Sequence, residues 1–232
     1  MGDIIRDYFK QEILPDVIAE LNEVYAPKRL ARRSEEKLPT EKKALSAFRS
    51  RVGFSLENAL GDIMHETVCV KFPQELNVSE NVINEFPDLH VRNHDDRLLL
   101  LGIEIKSLDI ESEEQAARLE AAVSEIADND YLFVIAWQWH NEGDLIFPRI
   151  MEWLFIKAKP LAIERDKRLR LTGGCIRQGR PMVKAKKTKK LVPDPGNYGK
   201  FMRLVHKTRM KAISDSDVLQ YLKFIEKIRG RK

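Results

Sequence analysis

The stretch LLLLGIEIK at 98–106 constrains this chain more than any other, because a run of leucine and isoleucine ends in two charges on one side. In a strand, alternation puts Gly102, Glu104 and Lys106 on one face and Leu101, Ile103 and Ile105 on the other. Ionisable groups that follow so apolar a run must be paired, hydrated or bound to a metal, since burying either alone is very costly. A buried strand that ends in a polar site is the expectation.

The flanking segments supply its neighbours. PDLHVR at 87–92 reads as a strand closed by the polar turn NHDD, and VCVKF at 68–72 as a shorter one. YLFVIAWQW at 131–139 is apolar on both faces, as a central strand should be. Helical spacing is expected over 3–25, with a kink or break at Pro15, and over 41–65, where Leu56, Leu60, Ile63 and Met64 form the stripe. A helix rich in Ala, Leu and Glu is expected over 111–128. Beyond Phe147, PRIMEWLFIKA reads as helical, 161–184 as short strands and turns, and SDSDVLQYLKFIEKIR as a capped C-terminal helix. Helix, three strands, helix, strand is the order of an α/β fold: an antiparallel meander, a parallel crossover strand and flanking helices around a mixed sheet. One domain over 1–232 is expected, with a core at about 45–160 and a basic region at about 161–232.

Asp88, at the start of the strand before the turn, is the residue that can join Glu104. A four-residue loop at 93–96 would set Asp88 opposite Leu101 and point it away. An odd loop or a one-residue bulge sets it opposite Gly102, on the face of Glu104 and about 7–8 Å away diagonally. Gly102 suits a bulge or a close approach. Two carboxylates with the Ile105 carbonyl make a hard oxygen set suited to Mg²⁺. Lys106, on the same face, is placed to hold an attacking water, and an ion there would neutralise charge building on a phosphodiester.

Pro87-Asp88, fifteen residues, then Glu104-Ile105-Lys106 resembles the PD-(D/E)XK nuclease superfamily, and the length and flanks resemble a type II restriction endonuclease. The resemblance covers roughly 50–140. It implies a restriction-endonuclease-like core, metal ligation by Asp88 and Glu104, and water positioning by Lys106. Cleavage would leave 5′-phosphate ends. Many members carry a further acid on the helix before the meander; here Glu57 is the candidate and Glu66 its competitor.

The charge map fits a polyanionic partner. Residues 27–51 hold nine Lys/Arg against three acids, and residues from 184 onward fifteen against four, whereas 80–130 hold four against fourteen. Basic flanks around a carboxylate-rich middle suit a chain that grips double-stranded DNA. In 177–200, Arg177, Gln178, Arg180, Lys184, Asn197, Tyr198 and Lys200 are residue types that read base edges or hold phosphates. A twofold homodimer, built on the first or the last helix, would match a palindromic site. Two cysteines without a CxxC pair, an acidic N-terminus and no bilayer-length apolar run point to the cytoplasm and away from disulfide, zinc-ribbon and membrane classes.

Two rival functions stay open: a repair or recombination nuclease that recognises DNA structure, and a DNA-binding protein without catalysis. His90 and His94 are read as separate histidines rather than one metal site. Trp137 and Trp139 are read as core or a subunit contact, and Gln138 as a residue that reaches the catalytic cleft.

Overall fold

A computed structural model of the chain describes residues 2–36, 38–81, 85–112, 119–196, 198–199 and 213–230. It is an α/β arrangement in which helices flank a mixed six-stranded sheet. The strands are β1 (Arg32–Arg33), β2 (Leu76–Glu80), β3 (Leu89–Asn93), β4 (Leu99–Asp109), β5 (Asp130–Glu142) and β6 (Leu145–Lys157), in the spatial order β1-β6-β5-β4-β3-β2. The β2–β3–β4 meander is antiparallel, β4 and β5 are parallel, and β6 returns antiparallel to β5.

One face of the sheet is covered by the N-terminal helices and by α3 (Lys42–Lys71). The N-terminal run alternates α1 (Gly2–Tyr8) and α2 (Leu14–Glu20) with π-wound turns at Phe9–Ile13 and Leu21–Leu30. The helical run does not end at Pro15; the winding changes there, from the π-wound turn Phe9–Ile13 to α2, with Pro15 in the first turn of α2. Phe9, Ile13, Leu14, Val17 and Leu21 meet Leu56, Leu60 and Met64 of α3 and Val91, Leu101, Ile103 and Ile105 of the sheet. The opposite face, over β5 and β6, carries α4 (Ala158–Leu171) and α5 (Ser216–Arg229), which bury Leu161, Tyr221, Leu222 and Ile225 against Leu132, Val134 and Ile156. The last helix buries Val218, Tyr221, Leu222 and Ile225 in this core, whereas Ile4 of the first helix stays 75% exposed.

Several local expectations change. VCVKF is the end of α3: Val68 is buried one turn after Met64 while Val70 is 81% exposed, so helical spacing wins over alternation. PRIMEWLFIKA lies in β6, because Trp153 and Phe155 pack on one side and Leu154 and Ile156 on the other. An apolar run of that kind suits either state, and pairing with β5 decides it. Residues 158–171 then form α4, and only β7 (Cys175–Arg177) and β8 (Arg180–Lys184), joined by β9 (Leu191–Pro193), match the short strands expected there.

The helix expected over 111–128 falls partly outside the described residues; from 119 on it is irregular apart from a 3₁₀ turn at Val123–Glu125. Arg165 Nη1 donates to the Leu119 and Ala121 carbonyls (2.5 and 2.9 Å), giving them a side-chain donor in place of a helical N–H. Among the described residues no helix is long and apolar enough to cross a membrane.

Candidate active site

The site forms where β3 stops and β4 runs on. Leu89 pairs with Ile103 and is the last ladder residue of β3, so the edge of β4 beyond that point needs other partners for its N–H groups. Two carboxylates supply them. Asp88 Oδ2 accepts from the Ile105 N–H at 2.7 Å, and Glu57 Oε1 accepts from the Ser107 N–H at 2.7 Å. The carboxylates from the meander and from α3 therefore meet on one strand edge, aligned by successive outward N–H groups.

The hairpin reaches this register through a bulge. Val91 lies opposite Leu101 but Arg92 opposite Leu99, so Leu100 is the extra residue and the turn His94–Arg97 stays even-numbered. One step beyond the Leu89–Ile103 pair, Asp88 comes directly across from Glu104. That is two residues further along β4 than the placement opposite Gly102, and on the same face. Gly102 serves close approach: a Cβ there would collide with a carboxylate oxygen of Asp130 and sit 2.7 Å from Pro87 Cγ. Gly53 does the same on α3, where a Cβ would lie 2.5 Å from Ser107 Oγ.

Lys106 draws the oxygens together. Its Nζ lies 2.7 Å from Glu104 Oε1, 2.8 Å from the Ile105 carbonyl and 3.7 Å from Asp88 Oδ2. Glu104 is only 9% exposed, and its second oxygen, Oε2, is buried without a hydrogen-bond partner among the described residues. Burial pushes the Glu104 carboxyl up to about 7, against the pull of Lys106 and with a further push from Asp88. Burial likewise raises Glu57, with Lys106 and the Ser107 N–H opposing it. For Lys106 burial acts downward, but Glu104, Asp88 and Glu57 together hold the ammonium above its ordinary value. Lys106 with Glu104, Asp88 and Glu57 around it makes a largely buried charge cluster that is costly to maintain unless its members are paired.

A hard divalent cation suits this donor set. Two carboxylates and a backbone carbonyl already surround one positive charge, and the buried Oε2 atom still lacks a partner among the described residues. Among the described residues no group of three or more His, Cys, Asp or Glu side chains is gathered as a metal cage. In such a set the Ile105 carbonyl would be the third oxygen beside Asp88 and Glu104.

Of the two helix acids, Glu57 reaches the site. Glu66 is exposed and lies nine residues further along α3, about 13 Å along the axis. Gln138 does not reach it either: Lys106 pairs with Val134, so Gln138 sits four residues, about 13 Å, down β5. Trp137 is core, and Trp139 flanks it while stacking on Phe48.

In the C-terminal region, Arg177 and Arg180 are opposite each other at the tip of the β7–β8 hairpin. Gln178 and Gly179 form its two-residue turn, both at positive φ, and Lys184 closes β8. All of these but Gly179 are expected DNA contacts, and all are exposed, on a small sheet packed beside α4. Tyr198 is engaged elsewhere: its hydroxyl donates to Asp166 at 2.5 Å and its ring lies under the Arg165 guanidinium. Asn197 and Lys200 lie outside the described residues. Ser107 and Asp130 were missed from the sequence, because a backbone N–H partner and a packing neighbour of glycine leave no motif. No protein-family model matches the chain, and no curated protein matches its sequence.

Proposed function

We propose that this protein is an Mg²⁺-dependent endonuclease that hydrolyses phosphodiester bonds of double-stranded DNA, with a restriction-endonuclease-like core of the PD-(D/E)XK kind. The observation that carries this reading is the convergence of Asp88, Glu104 and the Ile105 carbonyl on the Lys106 ammonium at an open strand edge. Bound Mg²⁺ would supply Lewis acidity toward the phosphate and a water. The chain's own contribution follows from its contacts. Asp88 and Glu104 hold negative charge toward the cation site, Lys106 donates a hydrogen bond to the attacking water, and Glu57 orients the strand through Ser107. Glu104 must be ionised to serve as a ligand, so burial ties its availability to pH near 7.

Site-specific cutting of a palindrome by a homodimer, leaving 5′-phosphates, is the form of this activity that the motif's resemblance favours. Cytoplasmic residence belongs to the same reading. The exposed Arg177, Gln178, Arg180 and Lys184 would meet the duplex. The test is incubation with a sequenced plasmid and Mg²⁺, followed by mapping of the ends. Discrete fragments that vanish in Lys106→Ala support the proposal; Mg²⁺-dependent cutting that survives in that variant overturns the assigned roles.

A further inference from the structure

Beyond the carboxylates, the meander carries a second polar feature on the same face. Leu89 and Val91 point to the α3 core, so Asp88, His90 and Arg92 face the other way. Pairing across the meander adds Asn77, opposite Arg92, and Ser79, opposite His90. The helices α4 and α5 pack over β5 and β6, and among the described residues none covers this side of β2 and β3. Here a cavity of about 550 Å³ opens, lined by Asn77, Ser79, Arg92, Asn93, His94 and Arg97.

The lining is built from donors. Neither guanidinium has a carboxylate partner among the described residues; Arg92 Nη1 makes only a 3.3 Å bond to the Arg97 carbonyl. Asn93 uses its oxygen to accept the Asp95 N–H at 2.9 Å, which leaves its amide N–H₂ group to donate. The turn is held in place: Leu98 N–H bonds to Asp96, His94 N–H bonds to the Glu75 carbonyl, and Arg97 takes φ of +57°. A non-glycine residue in that region is uncommon and fixes where its side chain leaves the backbone. Of the turn's two acids, Asp95 is 91% exposed and lies 3.9 Å from His94, and Asp96 accepts from the Leu98 N–H.

We propose that this cavity is a phosphate-binding anchor for the same DNA whose scissile bond sits at Glu104 and Lys106. Arg92 and Arg97 would clasp one backbone phosphate, with Asn77, Ser79 and the Asn93 amide completing the donors. Arg92 lies four residues from Asp88 along β3, about 13 Å. Phosphates recur at every base-pair step of a strand, so one backbone can present phosphates to both places. The anchor would position DNA without reading its sequence, since guanidinium and amide donors to a phosphate carry no base information. The proposal rests on the nuclease reading, and it adds where the substrate is held.

The test is fluorescence anisotropy with a labelled 30-base-pair duplex in EDTA, over a range of salt, for the wild type, Arg92→Ala, Arg97→Ala, the double variant and Lys106→Ala. Loss of each arginine should weaken binding alike for unrelated sequences and lower the slope of log affinity against log salt by about 1. Arg97 is exposed in a turn, so its variant should keep the wild-type melting curve even if Arg92→Ala does not. An unchanged affinity and slope in Arg97→Ala and the double variant, with wild-type binding intact, overturns the anchor and leaves the nuclease reading standing. A wild type that binds no duplex overturns both.

Discussion

Replacing Glu104 by glutamine isolates the energetic tension in the site. The carboxyl rises from its usual 4.5 to about 7, chiefly by burial, so the folded protein holds that proton more tightly than the unfolded chain does. The sign follows: a raised folded value gives stability that is fully present below 4.5 and is lost as pH rises through 7. At about 1.4 kcal/mol per pH unit, the ionised carboxylate costs about 3 kcal/mol of stability at high pH. Glutamine has the same shape and does not titrate. Glu57 and Asp130, also raised by burial, titrate in both proteins, and Glu57, which pushes Glu104 up, feels the loss of the Glu104 charge in the variant. Urea unfolding in EDTA at pH 5, 6, 7 and 8 should therefore show Glu104→Gln gaining on the wild type by about 2–3 kcal/mol between pH 5 and 8. Added Mg²⁺ at pH 8 should stabilise the wild type and have little effect on the variant. Stability curves that run parallel to within about 0.5 kcal/mol across that range would refute the claim that Glu104 is held ionised against its burial.

Other perturbations reach the remaining parts. Gly102→Ala forces a Cβ into Asp130 and Pro87, and should cost about 2 kcal/mol in urea unfolding and most of the cleavage rate. Glu57→Ala leaves the Ser107 N–H without its acceptor, with an expected loss of about 1–3 kcal/mol and slower cleavage at unchanged DNA affinity, read by unfolding and anisotropy. Lys106→Ala should abolish plasmid cutting while duplex binding in EDTA persists. Arg165→Ala removes a buried guanidinium that holds the Leu119 and Ala121 carbonyls, and should lower stability by about 3 kcal/mol with faster hydrogen exchange near those residues.

The sequence by itself determined the strand that carries Glu104 and Lys106, its alternation, the long helix carrying Glu57, and the parallel step from β4 to β5; it did not determine that the strand, expected to end in those charges, runs on to Asp109 in its pairing with β5. Those features follow from local periodicity and from the cost of leaving charge unpaired after an apolar run. Parity also required that the hairpin depart from a simple even-numbered loop if Asp88 was to share a face with Glu104. Only the tertiary structure decided that the bulge falls at Leu100, that Asp88 comes level with Glu104, and that β6 is a strand. Each of those depends on pairing between segments distant in sequence, which one-dimensional spacing does not encode. The same holds for Tyr198, whose residue type suits DNA but whose hydroxyl and ring are claimed by Asp166 and Arg165. It holds also for the Arg92–Arg97 cavity, since a turn and two strands must fold together before their donors converge.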